Sequence, residues 1–122
     1  MMQQRGGAKH HRERMGEAMR EEIGALVEGE LADPRIGLVS VSEVQLAPDG
    51  HSARVYVAIE GDEREAARSL AALNAARGYI RRELTTRLRL RQAPEIFFTS
   101  DGGPQQAARV DELLNRLKKQ NR

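Results

Sequence analysis

The chain has 122 residues, 39% hydrophobic and 31% charged, which fits one domain built on one core. No apolar run approaches a membrane span, the polar, basic first residues lack the apolar stretch of a secretory leader, and cysteine is absent; a membrane protein and thiol or disulfide chemistry are excluded, and a reducing compartment is expected. The net charge of +2 hides an asymmetry: residues 1–20 carry five basic and two acidic side chains (+3), residues 21–65 three and eleven (−8), and residues 77–91 six and one (+5), a distribution that steers a polyanion to one face.

Residues 1–8 are polar, carry Gly6-Gly7, and are expected to form a flexible arm. A first helix is expected from about Lys9 to Ala32, with Met15, Met19, Ile23, Leu26, Val27 and Leu31 as its apolar stripe. Gly16, Gly24 and Gly29 weaken it, so packing has to hold it. Pro34 ends it, and in Asp33-Pro34-Arg35 the aspartate braces a turn while Arg35 reaches either phosphate or an internal carboxylate. A strand follows over Leu38 to Leu46. Its apolar phase shifts by one between Val41 and Val44, which predicts a bulge near Ser42 or Glu43. Ala47-Pro48-Asp49-Gly50 is a turn, and Ser52 to Ile59 alternates cleanly as a second strand.

Two helices are expected next, about Arg64 to Ala76 and Tyr79 to Leu90, meeting at Gly78. Ile80, Leu84 and Leu88 form one face of the second. Gly78, Arg81, Arg82, Thr85 and Arg89 fall on the other, flanked by Arg77 and Arg87. Arginine presents a planar fork that matches phosphate oxygens, so this strip suits a nucleic-acid backbone, and Lys9, Arg12 and Arg14 extend it from the first helix. Tyr79 beside the kink is either an RNA contact or a ring packed on a neighbouring helix. A third strand spans Glu95 to Thr99, with Phe98 in the core and Phe97 turned away, open either to stacking on a base or to partial cover by a last helix that runs to about Leu117. The domain is thus read as 9–118, with a short tail at 119–122.

Catalytic and metal chemistry find little support. His10-His11 point in different directions on a helix, His51 sits beside a turn, no hydrolytic triad or carboxylate pair stands out, and Gly102-Gly103 lacks the lysine and hydroxyl of a phosphate loop. No catalytic residue, metal ligand or cofactor is therefore expected, and an enzyme is not. Two functions remain open: RNA binding through the basic strip, and a protein-interaction module using the acidic segment 21–65.

The order α-β-β-α-α-β-α builds a single α+β domain, a three-stranded sheet with helices on one face. That order, with Leu31-Ala32-Asp33-Pro34-Arg35-Ile36-Gly37, Val41-Ser42-Glu43-Val44, Ala53-Arg54-Val55-Tyr56-Val57, the stretch Leu73 to Leu84, Pro94-Glu95-Ile96 and Arg109-Val110-Asp111-Glu112-Leu113-Leu114, resembles the bacterial ribosome-binding factor A family, whose fold is similar to the type II KH domain. Gly102-Gly103-Pro104 departs from the family pattern. The resemblance implies a monomeric cytoplasmic factor that binds the small (30S) ribosomal subunit and 16S rRNA. It also implies help with late maturation, including the 16S rRNA 5′ end, support of growth in the cold, and release by an assembly GTPase. It implies no membrane partner. Where a KH domain carries its GXXG loop, this chain reads Ala75-Ala76-Arg77-Gly78, as the family does with an Ala-x-Gly kink, which favours recognition of shape and backbone over sequence.

Overall fold

The computed structural model describes residues 2–31 and 33–101, with side chains from Lys9 onward. The chain forms α1 (Met2–Ala25), a π-helical turn (Leu26–Glu30), β1 (Val39–Leu46), β2 (Ser52–Ile59), α2 (Glu63–Ala75), α3 (Arg77–Arg87) and β3 (Glu95–Ser100). The α+β class and the element order hold through the third strand. The last helix and the loop at 102–104 lie outside the described residues.

The strict alternation of residues 52–59 makes β2 the centre of the sheet, antiparallel to β1 and parallel to β3. Val41 pairs with Val57 and Glu43 with Tyr56, leaving Ser42 as the bulged residue that the phase shift predicts. One face of the sheet is buried. Val44, Ala53, Val55, Val57, Ile96 and Phe98 meet Met19, Ile23 and Leu26 from the first helix, Leu70 and Leu73 from α2, and Ile80 and Leu84 from α3 in one core. Arg54 and Phe97 turn to the opposite, solvent-facing side.

The first helix departs from expectation at both ends. It begins at Met2, ahead of Lys9, and its last turn is π-helical, closed by the Leu31 N–H donating to the Leu26 carbonyl five residues back at 2.6 Å. Gly16, read in the sequence as a weakness, is a packing requirement: a β-carbon there would sit 2.7 Å from the Val44 carbonyl oxygen. The glycine lets α1 lie directly on β1.

The two middle helices break at Ala76 (φ −88°, ψ 3°), two residues before the expected glycine. Gly78 lies within the first turn of α3 without a positive φ, and a β-carbon there would meet only the Arg82 Nη1, at 3.7 Å. Neither strain nor close approach requires glycine at this position. At its other end α3 stops at Arg87, short of Leu90. Arg89 adopts the left-handed conformation (φ 52°). The Leu90 N–H donates to the Thr85 carbonyl (3.0 Å) and the Arg89 N–H to the Thr86 carbonyl (3.3 Å), a Schellman closure with arginine where glycine is usual. Among the described residues no helix is long and apolar enough to cross a membrane.

Candidate nucleic-acid interface

The break at Ala76 sets the start of α3 beside the free edge of β3. Between them runs an open groove of about 260 Å³ lined by Arg77, Gly78, Arg81, Glu95, Ile96 and Phe97. Arg77 is the first residue of α3. Its Nε donates to the Asn74 carbonyl at 2.9 Å, and its guanidinium lies over the Phe97 ring, 5.0 Å from the centroid. Phe97 remains 43% exposed despite this cover, and Tyr79, on the first turn of α3, is 45% exposed. The lack of a side chain at Gly78 leaves the helix backbone bare at the rim.

Arg81 does two things. Its Nε donates to the Ala93 carbonyl at 2.8 Å, and the neighbouring Thr85 hydroxyl accepts from the Ala93 N–H at 3.2 Å, so α3 holds the segment leading into β3. The sequence sets Arg81 opposite the core face of its helix, and the structure adds this contact with the segment before β3. Arg81 braces the fold and lines the groove at once. Arg82 is exposed and has no side-chain partner among the described residues. The remaining expected site residues are placed elsewhere. Arg87 is tied to three carboxylates: its Nη2 donates to Glu30 and, at 3.3 Å, to Glu83, and its Nη1 donates to Glu22 at 3.4 Å. These bonds, that to Glu30 foremost, raise its pKa above the ordinary arginine value. Arg89 lies beyond the helix, on its Schellman turn, and does not continue the face of Gly78.

Arg35 closes on Asp33. Its Nε and Nη2 donate to the two carboxylate oxygens at 3.0 and 2.7 Å, and its own backbone N–H donates to Oδ1 at 2.9 Å. The side-chain hydrogen bond, then the backbone one, lowers the Asp33 pKa from 3.8 to about 2. Of the two partners open to Arg35 in the sequence, the carboxylate is the one observed. Lys9, Arg12 and Arg14 sit on α1, which packs chiefly on β1 at the sheet edge opposite β3, and none of them lines the groove. No group of three or more His, Cys, Asp or Glu among the described residues is placed to hold a metal ion.

Sequence reasoning missed Asn74. Its carboxamide accepts from the Phe98 N–H at 3.0 Å and donates to the Phe98 carbonyl at 3.3 Å, bridging α2 to the free edge of β3. No local pattern reveals a contact made across 24 residues.

Comparison with known proteins places this geometry. The family model for ribosome-binding factor A matches residues 11–114. A ribosome-binding factor A of Koribacter versatilis is 57% identical over 121 residues, covering 99% of this chain and 98% of that one. The crystal structure of ribosome-binding factor A from Thermus thermophilus superposes with a TM-score of 0.63 at 27% identity, covering 73% of this chain and 94% of that one. A Thermus thermophilus homology model of the same factor, fitted into a cryo-electron microscopy map of a 30S complex, superposes with a TM-score of 0.52 at 30% identity, covering 67% and 90%. These neighbours are KH-like domains, and this chain shares that α+β fold of helices and a three-stranded sheet. With a match that spans most of its length and a relative that shares more than half its residues, the chain belongs to the ribosome-binding factor A family.

Proposed function

We propose that this chain binds the small (30S) ribosomal subunit through 16S rRNA, with the start of α3 as its contact face. The observation that carries the reading is the family membership, together with a structural neighbour fitted into a 30S complex. Arg77, Gly78, Tyr79, Arg81 and Arg82 form the centre of the contact. Arg89 extends it past the helix end, and Lys9, Arg12 and Arg14 meet RNA only where it wraps towards α1. Arg35 and Arg87 engage phosphate only by releasing their carboxylates. The factor acts by binding and not as an enzyme, as a cytoplasmic monomer without a cofactor. It assists late maturation, including the 16S rRNA 5′ end, supports growth in the cold, and is released by an assembly GTPase. The alternative, a protein-interaction module on the acidic segment 21–65, loses support because Glu22, Glu30 and Asp33 are engaged internally by arginines.

The test is a salt series of binding to immature 30S subunits. Arg82→Glu is expected to weaken binding and to reduce the slope of log affinity against log salt by about 0.7–0.9 for each phosphate it ceases to neutralise. A folded variant with unchanged affinity and slope overturns the reading of α3 as the contact face.

A further inference from the structure

We propose that the free edge of β1 takes an extended, lysine- or arginine-bearing segment of a partner protein as a fourth strand of the sheet. In an antiparallel ladder, successive residues turn both main-chain groups alternately towards the paired strand and away from it. The Glu60 N–H donates to the Leu38 carbonyl at 3.0 Å, and past the Ser42 bulge the Ala47 N–H donates to the Ser52 carbonyl at 2.9 Å. Leu38 and Ser40 therefore face β2, while Val39 and Val41 turn their N–H and C=O outwards. Both valines are partly exposed, and neither has a main-chain partner on that side among the described residues. Beyond the bulge the edge is closed, because the Val44 carbonyl lies against Gly16 of α1. At the far edge of the sheet Asn74 occupies Phe98. The opening at Val39 and Val41 fits a short added strand and stops a long one.

Charge beside the opening selects the strand. Val41 lines an open groove of about 380 Å³ with Arg20, Glu21, Gly24, Ala25, Glu28 and Gly29 of the first helix and its π-helical turn. Arg20 is already paired with Glu17 at 3.3 Å. Glu21 and Glu28 are exposed and have no ion-pair partner among the described residues, so they are acids of the segment 21–65 that the internal arginines leave free. Glycine keeps the groove clear: a β-carbon at Gly29 would touch nothing. Val39 and Val41 pack on the core, so their face of β1 is the helix side, and Leu38, 72% exposed, lies on the other face. The side chains of an added strand alternate in the same way. A basic residue at every second position is set towards Glu21 and Glu28, and the apolar residue between them lies beside Leu38. A phosphate backbone is repelled here, and a second copy of the chain would bring two acidic edges together. β1 and β3 are opposite edges of the sheet, so this surface adds to the α3 face and does not compete with it.

The experiment is an amide NMR titration of the full chain with a short peptide of alternating lysine and valine. Its controls are the same peptide with glutamate for lysine, the lysine peptide N-methylated along its backbone, and a short RNA. The lysine peptide is expected to shift the Val39 and Val41 amides and to slow their hydrogen exchange. Glu21→Lys with Glu28→Lys, two exposed positions away from the α3 face, is expected to weaken its binding about tenfold. The N-methylated peptide keeps the charge and loses the donors, so it is expected to bind far more weakly. Equal binding of the N-methylated peptide, equal or tighter binding of the glutamate peptide, or still Val39 and Val41 amides each overturns the proposal. So does an RNA that shifts the same two amides. A shift of these amides with the concentration of the unaltered chain alone also overturns it, because the edge then belongs to a second copy.

Discussion

The side chain of Asn74 pairs with Phe98 as a neighbouring strand would, taking its N–H at 3.0 Å and giving to its carbonyl at 3.3 Å. A primary carboxamide offers the acceptor and donor of a peptide group, with a second N–H to spare, so one residue from α2 closes an edge that would otherwise invite strand addition. The same Nδ2 also reaches the Leu70 carbonyl at 3.2 Å, which locks the rotamer.

Asn74→Asp keeps the acceptor for the Phe98 N–H, loses the donor, and sets a carboxylate against two carbonyl oxygens. It is expected to destabilise the fold by about 2 kcal/mol, the scale of a part-buried polar group left unpaired. Urea unfolding near neutral pH measures this. A midpoint equal to that of the unaltered chain would show that water replaces the amide.

Arg81 and Arg82 are neighbours in sequence but not in role. Arg82→Glu is expected to leave the unfolding midpoint unchanged and to lower affinity for RNA. Arg81→Glu is expected to lower both, because the Ala93 carbonyl loses its donor. Arg81→Met, which has no donor at that position, shares the stability loss without the charge reversal. Equal unfolding midpoints for the Arg81 and Arg82 variants would remove the bracing role.

Arg89→Gly is expected to stabilise the domain by about 0.5–1 kcal/mol. Left-handed backbone costs a side chain roughly 1–2 kcal/mol, and the added freedom of the unfolded chain returns part of that. Thermal melting measures the gain. A variant that melts lower would show that the arginine side chain contributes more than its backbone costs.

Asp33 makes stability depend on acid. Its folded pKa of about 2 lies below its ordinary 3.8, so the unfolded chain takes up the proton first. The stabilisation is complete above about pH 4 and disappears as pH falls through about 2. In denaturation curves from about pH 5 downward, Asp33→Asn is expected to be less stable than the unaltered chain at the upper end and to converge with it at the lower. Parallel curves across the whole range contradict this.

The elements that depend on one local period were legible in the sequence. The bounds of β2 match because its alternation is uninterrupted, and the Ser42 bulge follows from a phase shift that only a bulge reconciles. The kink was legible over Ala76–Gly78 but not its exact residue, because a glycine marks where a chain is able to bend, whereas the observed break falls at Ala76. The cationic strip was legible as composition and not as geometry. A helical wheel sets Glu83 one turn before Arg87 but says nothing of Glu22 and Glu30, and the sequence leaves Arg35 open to phosphate or carboxylate without choosing Asp33. Glu22 lies 65 residues from Arg87. What survives as an open surface, Arg82 with the Gly78 rim, is what tertiary contacts left unused.

The π-helical turn at the end of the first helix separates the length of that segment from its phase. On an unbroken α-helix, eight residues turn through about 800°, which would set Glu30 about 80° around from Glu22. The turn absorbs one extra residue, which cuts the offset to about 20°. Both carboxylates therefore reach Arg87. A chain lacking Gly29, whose β-carbon position touches nothing, would reach the same pair of contacts on a plain α-helix. In this segment a single-residue deletion is a change of winding and not of face, so natural variants of different length here can carry the same surface.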